Sequence, residues 1–152
     1  FTYWPQLFLG ITFNYGLILG WTSITSEINI IPIIFYLGAI FWTLGYDTIY
    51  GFQDIKDDEI IGLKSTSIKF KKNPYIFLFS CYSIFFTSLL VVGYLMQLNE
   101  FYYLFLVFII LQLFFFQLKK LKIKEASNCL KTFQSNNFLG LIIFIGIIAG
   151  KI

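Results

Sequence analysis

Five of the chain's eight acidic residues fall in one short stretch, Asp47-Thr-Ile-Tyr-Gly-Phe-Gln-Asp-Ile-Lys-Asp-Asp-Glu-Ile-Ile-Gly-Leu-Lys-Ser-Thr66. Read as a helix, it sets Asp54 and Asp58 four apart on one face, with Asp47 two turns back on that face and Tyr50 between them. Asp57 flanks the stripe. Carboxylates at this spacing repel one another, and a bound cation relieves the repulsion. Magnesium suits the group, because it takes one or two carboxylates and completes its octahedron with water and substrate phosphate. The implied ligand is a metal-bound di- or triphosphate, with Asp54 and Asp58 as metal ligands and Asp57 as a further candidate. Lys64, Ser65 and Thr66 lie just beyond, where they could meet phosphate oxygens. A metal so placed makes diphosphate a better leaving group by neutralising the charge that develops as a C–O bond breaks. The spacing alone leaves a second reading open, a solvated acidic loop balanced by neighbouring lysines.

The rest of the sequence is the frame for this stretch. At 58% hydrophobic and 12% charged, with a mean hydropathy of +0.78, the chain is too apolar for a soluble domain, where about a quarter of residues are charged. Its long uncharged runs predict an all-α polytopic transmembrane bundle of about five spans. The chain has no histidine, and Cys81 and Cys129 lie far apart, so zinc, haem and histidine acid–base chemistry find no support. No nucleic-acid partner is expected; the surroundings are a lipid bilayer.

Phe1 to Gln6 forms an amphipathic lead-in with Pro5 suited to a first helical turn. A first span is expected over about Leu7–Thr25, interrupted by Asn14, and a second over about Ile30–Tyr46, with Asp47 and Tyr50 continuing its last turns. Asn73 and Pro74 predict a capped helix start for a third span, about Tyr75–Leu98. After the Asn99-Glu100 turn, a fourth runs over about Phe101–Leu118. The last apolar run, Phe138–Gly150, is too short to cross unless its helix begins inside the polar segment, near Phe133. Two segments, 47–74 and 119–137, then share one side and hold ten of the eleven lysines, a positive-inside pattern that places the acidic stretch in the cytoplasm or the mitochondrial matrix. Asn14 is expected to hydrogen-bond a neighbouring helix, Trp4, Tyr102 and Tyr103 to sit in an interfacial belt, and Lys119, Lys120, Lys122 and Lys124 to orient the chain beside anionic lipid.

The segment Tyr46–Thr66 resembles the second aspartate-rich motif of the UbiA-type intramembrane prenyltransferases, most of all their 4-hydroxybenzoate polyprenyltransferase branch. Phe1-Thr-Tyr-Trp-Pro-Gln-Leu-Phe-Leu-Gly10 and Asn136-Asn-Phe-Leu-Gly140 resemble that family too, so the likeness runs end to end. The resemblance implies nine spans in the complete protein, with residues 1–152 as the C-terminal part of a single membrane domain. It implies magnesium-dependent transfer of a polyprenyl group from polyprenyl diphosphate to the ring of 4-hydroxybenzoate in ubiquinone biosynthesis, in a bacterial or mitochondrial inner membrane. By position, Asp54 and Asp58 match the metal–diphosphate ligands, Lys64 the downstream basic residue, and Asp47 and Tyr50 the upstream face. Asp47 is the candidate for removing the ring proton or assisting phenol ionisation, and Tyr50 is the aromatic chosen to face an allylic cation.

The family's first motif, NDxxDxxxD, and its substrate-facing arginine are not in these residues, so this chain alone is expected to be inactive. The rival functions are another transferase of the superfamily, making menaquinone, haem O or a chlorophyll-type lipid, and an ion-coupled transporter. A transporter would place its carboxylates near the bilayer midplane rather than at a span's end.

Overall fold

A computed structural model describes residues 2–152; Phe1, the first residue of the lead-in, lies outside them. The described residues fold entirely as helices and connections, and five helical stretches are long and apolar enough to cross a bilayer. In chain order the elements are α1 (Pro5–Phe13), α2 (Gly16–Thr25), α3 (Ile30–Gly51), α4 (Ile55–Ile60), α5 (Thr66–Lys69), α6 (Pro74–Leu95), α7 (Glu100–Ile110), a π-helix (Leu111–Leu118) that continues α7, and α8 (Ala126–Lys151).

The first span is α1 and α2 together, broken at Asn14. Its side-chain amide donates to Gly10 O at 2.8 Å and reaches Thr43 Oγ1 at 2.8 Å and Ala39 O at 3.3 Å on α3. The expected interhelical bond is therefore made, and it ties the break to the next span. Asn29 caps α3, accepting from the Ile31 N–H at 3.0 Å, and Asn99 caps α7 in the same way. Pro74 stands at the start of α6 as expected, but the Asn73 side chain makes no cap bond there. The last span begins at Ala126, well inside the polar segment and seven residues before Phe133. Its hydrogen-bonded ladder carries polar side chains to a length that crosses.

Small residues let the long helices approach closely. On α3, a methyl at Gly38 would collide with Ser88 of α6, and one at Gly45 would come within 2.7 Å of Tyr82. On α8, Gly146 and Gly150 lie under Phe105 and Tyr102. The core formed at these crossings holds Ile49, Leu78, Tyr82, Phe85, Leu89 and Leu139, all fully buried. Outward faces carry Phe8, Ile76, Phe116 and Phe144, more than half exposed, the surface of a bundle solvated by lipid.

Tyr102 departs from the interfacial belt expected of it. It is 1% exposed, and its hydroxyl donates to Leu89 O at 2.8 Å. Lying beside Gly93 and Gly150, it fills the gap their missing side chains leave, and the buried hydroxyl is satisfied by a carbonyl rather than by water. Trp4 stands just before the first span, half-buried with the Lys69 ammonium 4.1 Å from its ring.

Candidate functional site

One end of the bundle gathers the segments before α1, between α3 and α6, and before α8. There α3 does not run on through the acidic stretch. It stops at Gly51, because Phe52 turns into the core at 3% exposed and the Phe52 and Gln53 N–H groups fall back on Ile49 O and Tyr50 O. The helix resumes as α4 at Ile55. The single stripe expected from Asp47 through Asp58 is thus two pieces, and the seven-residue relation between Asp47 and Asp54 does not survive the break. Within the second piece the Asp58 N–H donates to Asp54 O at 3.0 Å, so Asp54 and Asp58 do sit one turn apart. Asp57 and Asp58 occupy the first turn of α4, where the helix dipole favours negative charge.

Asp47 and Tyr50 belong to the span itself. Asp47 is half-buried one turn above Thr43, the residue that meets Asn14. The Asp47, Asp54, Asp57 and Asp58 carboxylates have no ion-pair partner among the described residues; of the five acidic residues in this stretch only Glu59 does, with Lys71. No three acidic or cysteine side chains among the described residues converge into a metal site. What α4 offers is a pair, Asp54 and Asp58, and a pair is what magnesium draws from a protein when phosphate and water supply the rest.

The residues downstream hold the loop in place. Thr66 is fully buried: its hydroxyl lies 2.6 Å from Thr48 Oγ1 and its N–H donates to Gln6 Oε1 at 3.0 Å. Ser67 donates to Thr48 O at 2.8 Å, and Ser65 caps α5 by accepting from the Ile68 N–H. The chain therefore returns at Ser67 beside Gly51, where it left. Of the Ser65 and Thr66 hydroxyls, expected as phosphate contacts, that of Thr66 is spent on this closure, while that of Ser65 accepts the cap bond of α5. Lys64 remains exposed, its ammonium 5.7 Å from the Tyr3 ring.

Beside Tyr50 opens a groove between α1–α2, α3 and α8. Its mouth, of about 400 Å³, is lined by Tyr46, Phe133, Asn136 and Asn137. Through Asn14, Trp42 and Gly140 it joins a middle section of about 230 Å³. Through Leu17, Phe35 and Ile147 that section joins an apolar end of about 330 Å³ reaching Ile31 and Met96. From Tyr46 back to Ile31 the groove follows α3 for about 22 Å. Its upper wall is aromatic: Tyr46 packs on Phe133 at 5.7 Å, and Trp42 packs edge-on to Tyr46 and stacked on Phe85, while Tyr50 backs the wall from outside by packing on Phe133 at 4.8 Å.

A buried polar network holds this wall. Asn136 Oδ1 accepts from Trp42 Nε1 at 2.9 Å and from Gln117 Nε2 at 3.0 Å, and Gln117 Oε1 accepts from the Tyr82 hydroxyl at 2.6 Å. Gln117 is delivered by the π-helix, whose extra residue per turn rotates it inward; such segments are frequent at functional sites. Neither the network nor the groove was expected from the sequence. The readable signal was the four-residue spacing of Trp42, Tyr46 and Tyr50, which lines three aromatic rings along one face of α3.

The sequence profile described as the UbiA prenyltransferase family matches residues 1–144. Among curated proteins, the chain is 38% identical over 152 residues to the mitochondrial 4-hydroxybenzoate polyprenyltransferase of Drosophila melanogaster, covering 99% of this chain and 38% of that protein. It is 40% identical to the human protein of that name, covering 99% of this chain and 41% of the relative. To the 4-hydroxybenzoate octaprenyltransferase of Francisella tularensis subsp. novicida it is 42% identical, covering 93% of this chain and 49% of the relative. The chain thus spans between about two fifths and half of the length of these relatives. No solved structure matches.

Proposed function

The chain belongs to the UbiA prenyltransferase family, and on that premise we propose that it is the C-terminal part of an integral membrane 4-hydroxybenzoate polyprenyltransferase of ubiquinone biosynthesis. The observation that supports the reading is that an Asp54–Asp58 turn and the mouth of an aromatic-walled apolar groove both lie toward the same end of the bundle, without α4 itself lining the groove. A prenyl diphosphate is built the same way, an anionic head on an apolar tail. The ten lysines of the two segments at this end support placing it on the cytoplasmic or matrix side of a bacterial or mitochondrial inner membrane.

In the complete protein each residue has a part. Asp54 and Asp58 would hold magnesium, with Asp57 beside them, and Lys64 would add a positive charge for the diphosphate oxygens. When bound, magnesium supplies neutralisation of the departing diphosphate. Tyr50 and its neighbours present ring faces to the positive charge left on the prenyl carbon, and the groove below holds the tail away from water. The ring of 4-hydroxybenzoate attacks that carbon beside its hydroxyl, and Asp47 assists phenol ionisation or accepts the ring proton. Both metal-binding carboxylates stand at a span's end rather than at the bilayer midplane, which speaks against an ion-coupled carrier.

The test is prenyl transfer by the full-length protein carrying Asp54→Ala or Asp58→Ala, with magnesium titrated. Each variant should lose about 10²–10³-fold in turnover, the scale for removing one electrostatic stabiliser. Undiminished turnover in both, with or without magnesium, would remove the metal assignment. Residues 1–152 expressed alone should show no turnover.

A further inference from the structure

A second cavity, of about 400 Å³, opens at the same end of the bundle but on another side of α4. Its rim carries Lys56 from α4, Lys71 from the turn before α6 and Lys124 from the segment before α8, together with Gln53; Phe52 and Ile123 form part of an apolar floor. Lys56 stands two residues from both Asp54 and Asp58, about 200° around the helix from each, so the cavity lies behind the acidic turn. No carboxylate lines it. Glu59 pairs with Lys71, and Glu125 pairs with Lys122 rather than with Lys124. Lys56 and Lys124 have no acidic partner among the described residues, and the Gln53 amide makes no hydrogen bond among them.

Separate segments thus bring Lys56 and Lys124 to one concavity whose lining holds no carboxylate, and an anion placed between them would relieve their mutual repulsion. Phe52 follows the last residue of α3 and Ala126 begins α8, which sets the cavity at the level of lipid headgroups. We propose that it binds a phosphate group, as the headgroup of an anionic phospholipid or as free phosphate, at a site separate from the Asp54–Asp58 turn. The occupant would join α4 to the start of α8 through Lys56 and Lys124.

The experiment is native mass spectrometry of the full-length protein in detergent, titrated with phosphatidylglycerol or with phosphatidylcholine. The wild type should hold phosphatidylglycerol selectively, and K56Q/K124Q should hold it roughly 30-fold more weakly. The matched variant K72Q/K119Q, which removes two exposed lysines from the same end, should bind as the wild type does, and K56R/K124R should restore binding. Displacement of the lipid by millimolar inorganic phosphate identifies free phosphate as the ligand; no displacement identifies the headgroup. Equal binding by wild type and K56Q/K124Q, or an equal loss in K72Q/K119Q, overturns the proposal.

Discussion

Replacing Asn136 with alanine should destabilise the bundle through one atom more than any other, the indole N–H of Trp42. Asn136 is 6% exposed, and its Oδ1 accepts two bonds. Gln117 would keep a second acceptor, Ser135 Oγ at 3.2 Å, whereas Trp42 has none among the described residues. An orphaned buried donor costs about 1–3 kcal/mol. Inside a membrane the figure is reduced, because the unfolded helices also find partners, and measured couplings average about 0.6 kcal/mol with a maximum near 1.7. The expected cost of Asn136→Ala is therefore about 1–2 kcal/mol.

Trp42→Phe removes the N–H and retains a ring against Phe85, 5.0 Å away and stacked in the native protein. If the hydrogen bond is what Asn136 contributes, alanine at position 136 should cost about 0.6–1.7 kcal/mol less in the Trp42→Phe background. Equilibrium unfolding of the four full-length proteins in mixed micelles gives all the values required. Additivity to within about 0.3–0.5 kcal/mol would refute the reasoning and leave Asn136 a packing residue. The cycle has a functional counterpart, because Trp42 walls the groove in which we place the prenyl tail.

Thr48→Val should cost more than Thr66→Val. The Thr48 hydroxyl donates to Leu44 O at 2.6 Å, so losing Thr66 leaves it bonded at a cost of about 0.5–1.5 kcal/mol. Losing Thr48 strands the buried Thr66 hydroxyl, at about 1–3 kcal/mol; equal values from the same unfolding assay would contradict the donor order. Gly38→Ala should destabilise by about 1–3 kcal/mol through overpacking against Ser88. Gly20→Ala, with nothing within 4 Å, should be neutral or stabilising by up to about 1 kcal/mol, and thermal inactivation midpoints of the two variants give the comparison. In the prenyl-transfer assay Tyr50→Phe should retain kcat and Tyr50→Ala should lose about 0.5–2 kcal/mol of barrier lowering; an equal fall in both would assign the effect to the hydroxyl instead of the ring face.

Local chemistry was legible in the sequence in part: the helix start at Pro74 was expected, but Asn73 before it makes no cap bond, and the caps are made instead by two asparagines read only as turn residues. Asn29 and Asn99 cap because their oxygens reach N–H groups two residues on, and Pro74 starts a helix because its missing N–H is not needed there. The break at Asn14 announced itself as a polar residue in an apolar run. The stripe from Asp47 to Asp58 misled because Gly51, the poor helix former between its ends and the last residue of α3, does not by itself forbid a continuous helix. What divides it is Phe52, pulled into a core made by residues far along the chain, such as Leu78 and Tyr82. The burial of Tyr102 depends likewise on Gly93 and Gly150, and that of Thr66 on Gln6 and Thr48, partners 60 and 18 residues away. The π-helix has no compositional mark at all: Leu111–Leu118 reads like the α-helical residues before it.

The closure of the chain at Gly51 and Ser67 gives the acidic segment an independence that its place in the sequence conceals. Both ends of the loop are fastened to the same short stretch of α3, and α4 has no buried residue. Such a loop is an Ω-like appendage, closed at its neck and held along its length only by Ile55 against the core and by the Glu59–Lys71 pair. Lengthening it costs little closure entropy, about 0.6 kcal/mol for a doubling. Changes between Gln53 and Leu63 should consequently register in chemistry and scarcely in folding, whereas changes at the neck should register in both. The scaffold and its reactive edge can diverge at different rates, and a segment exchanged from a relative at residues 53–63 should be accepted without redesign of the helices that carry it.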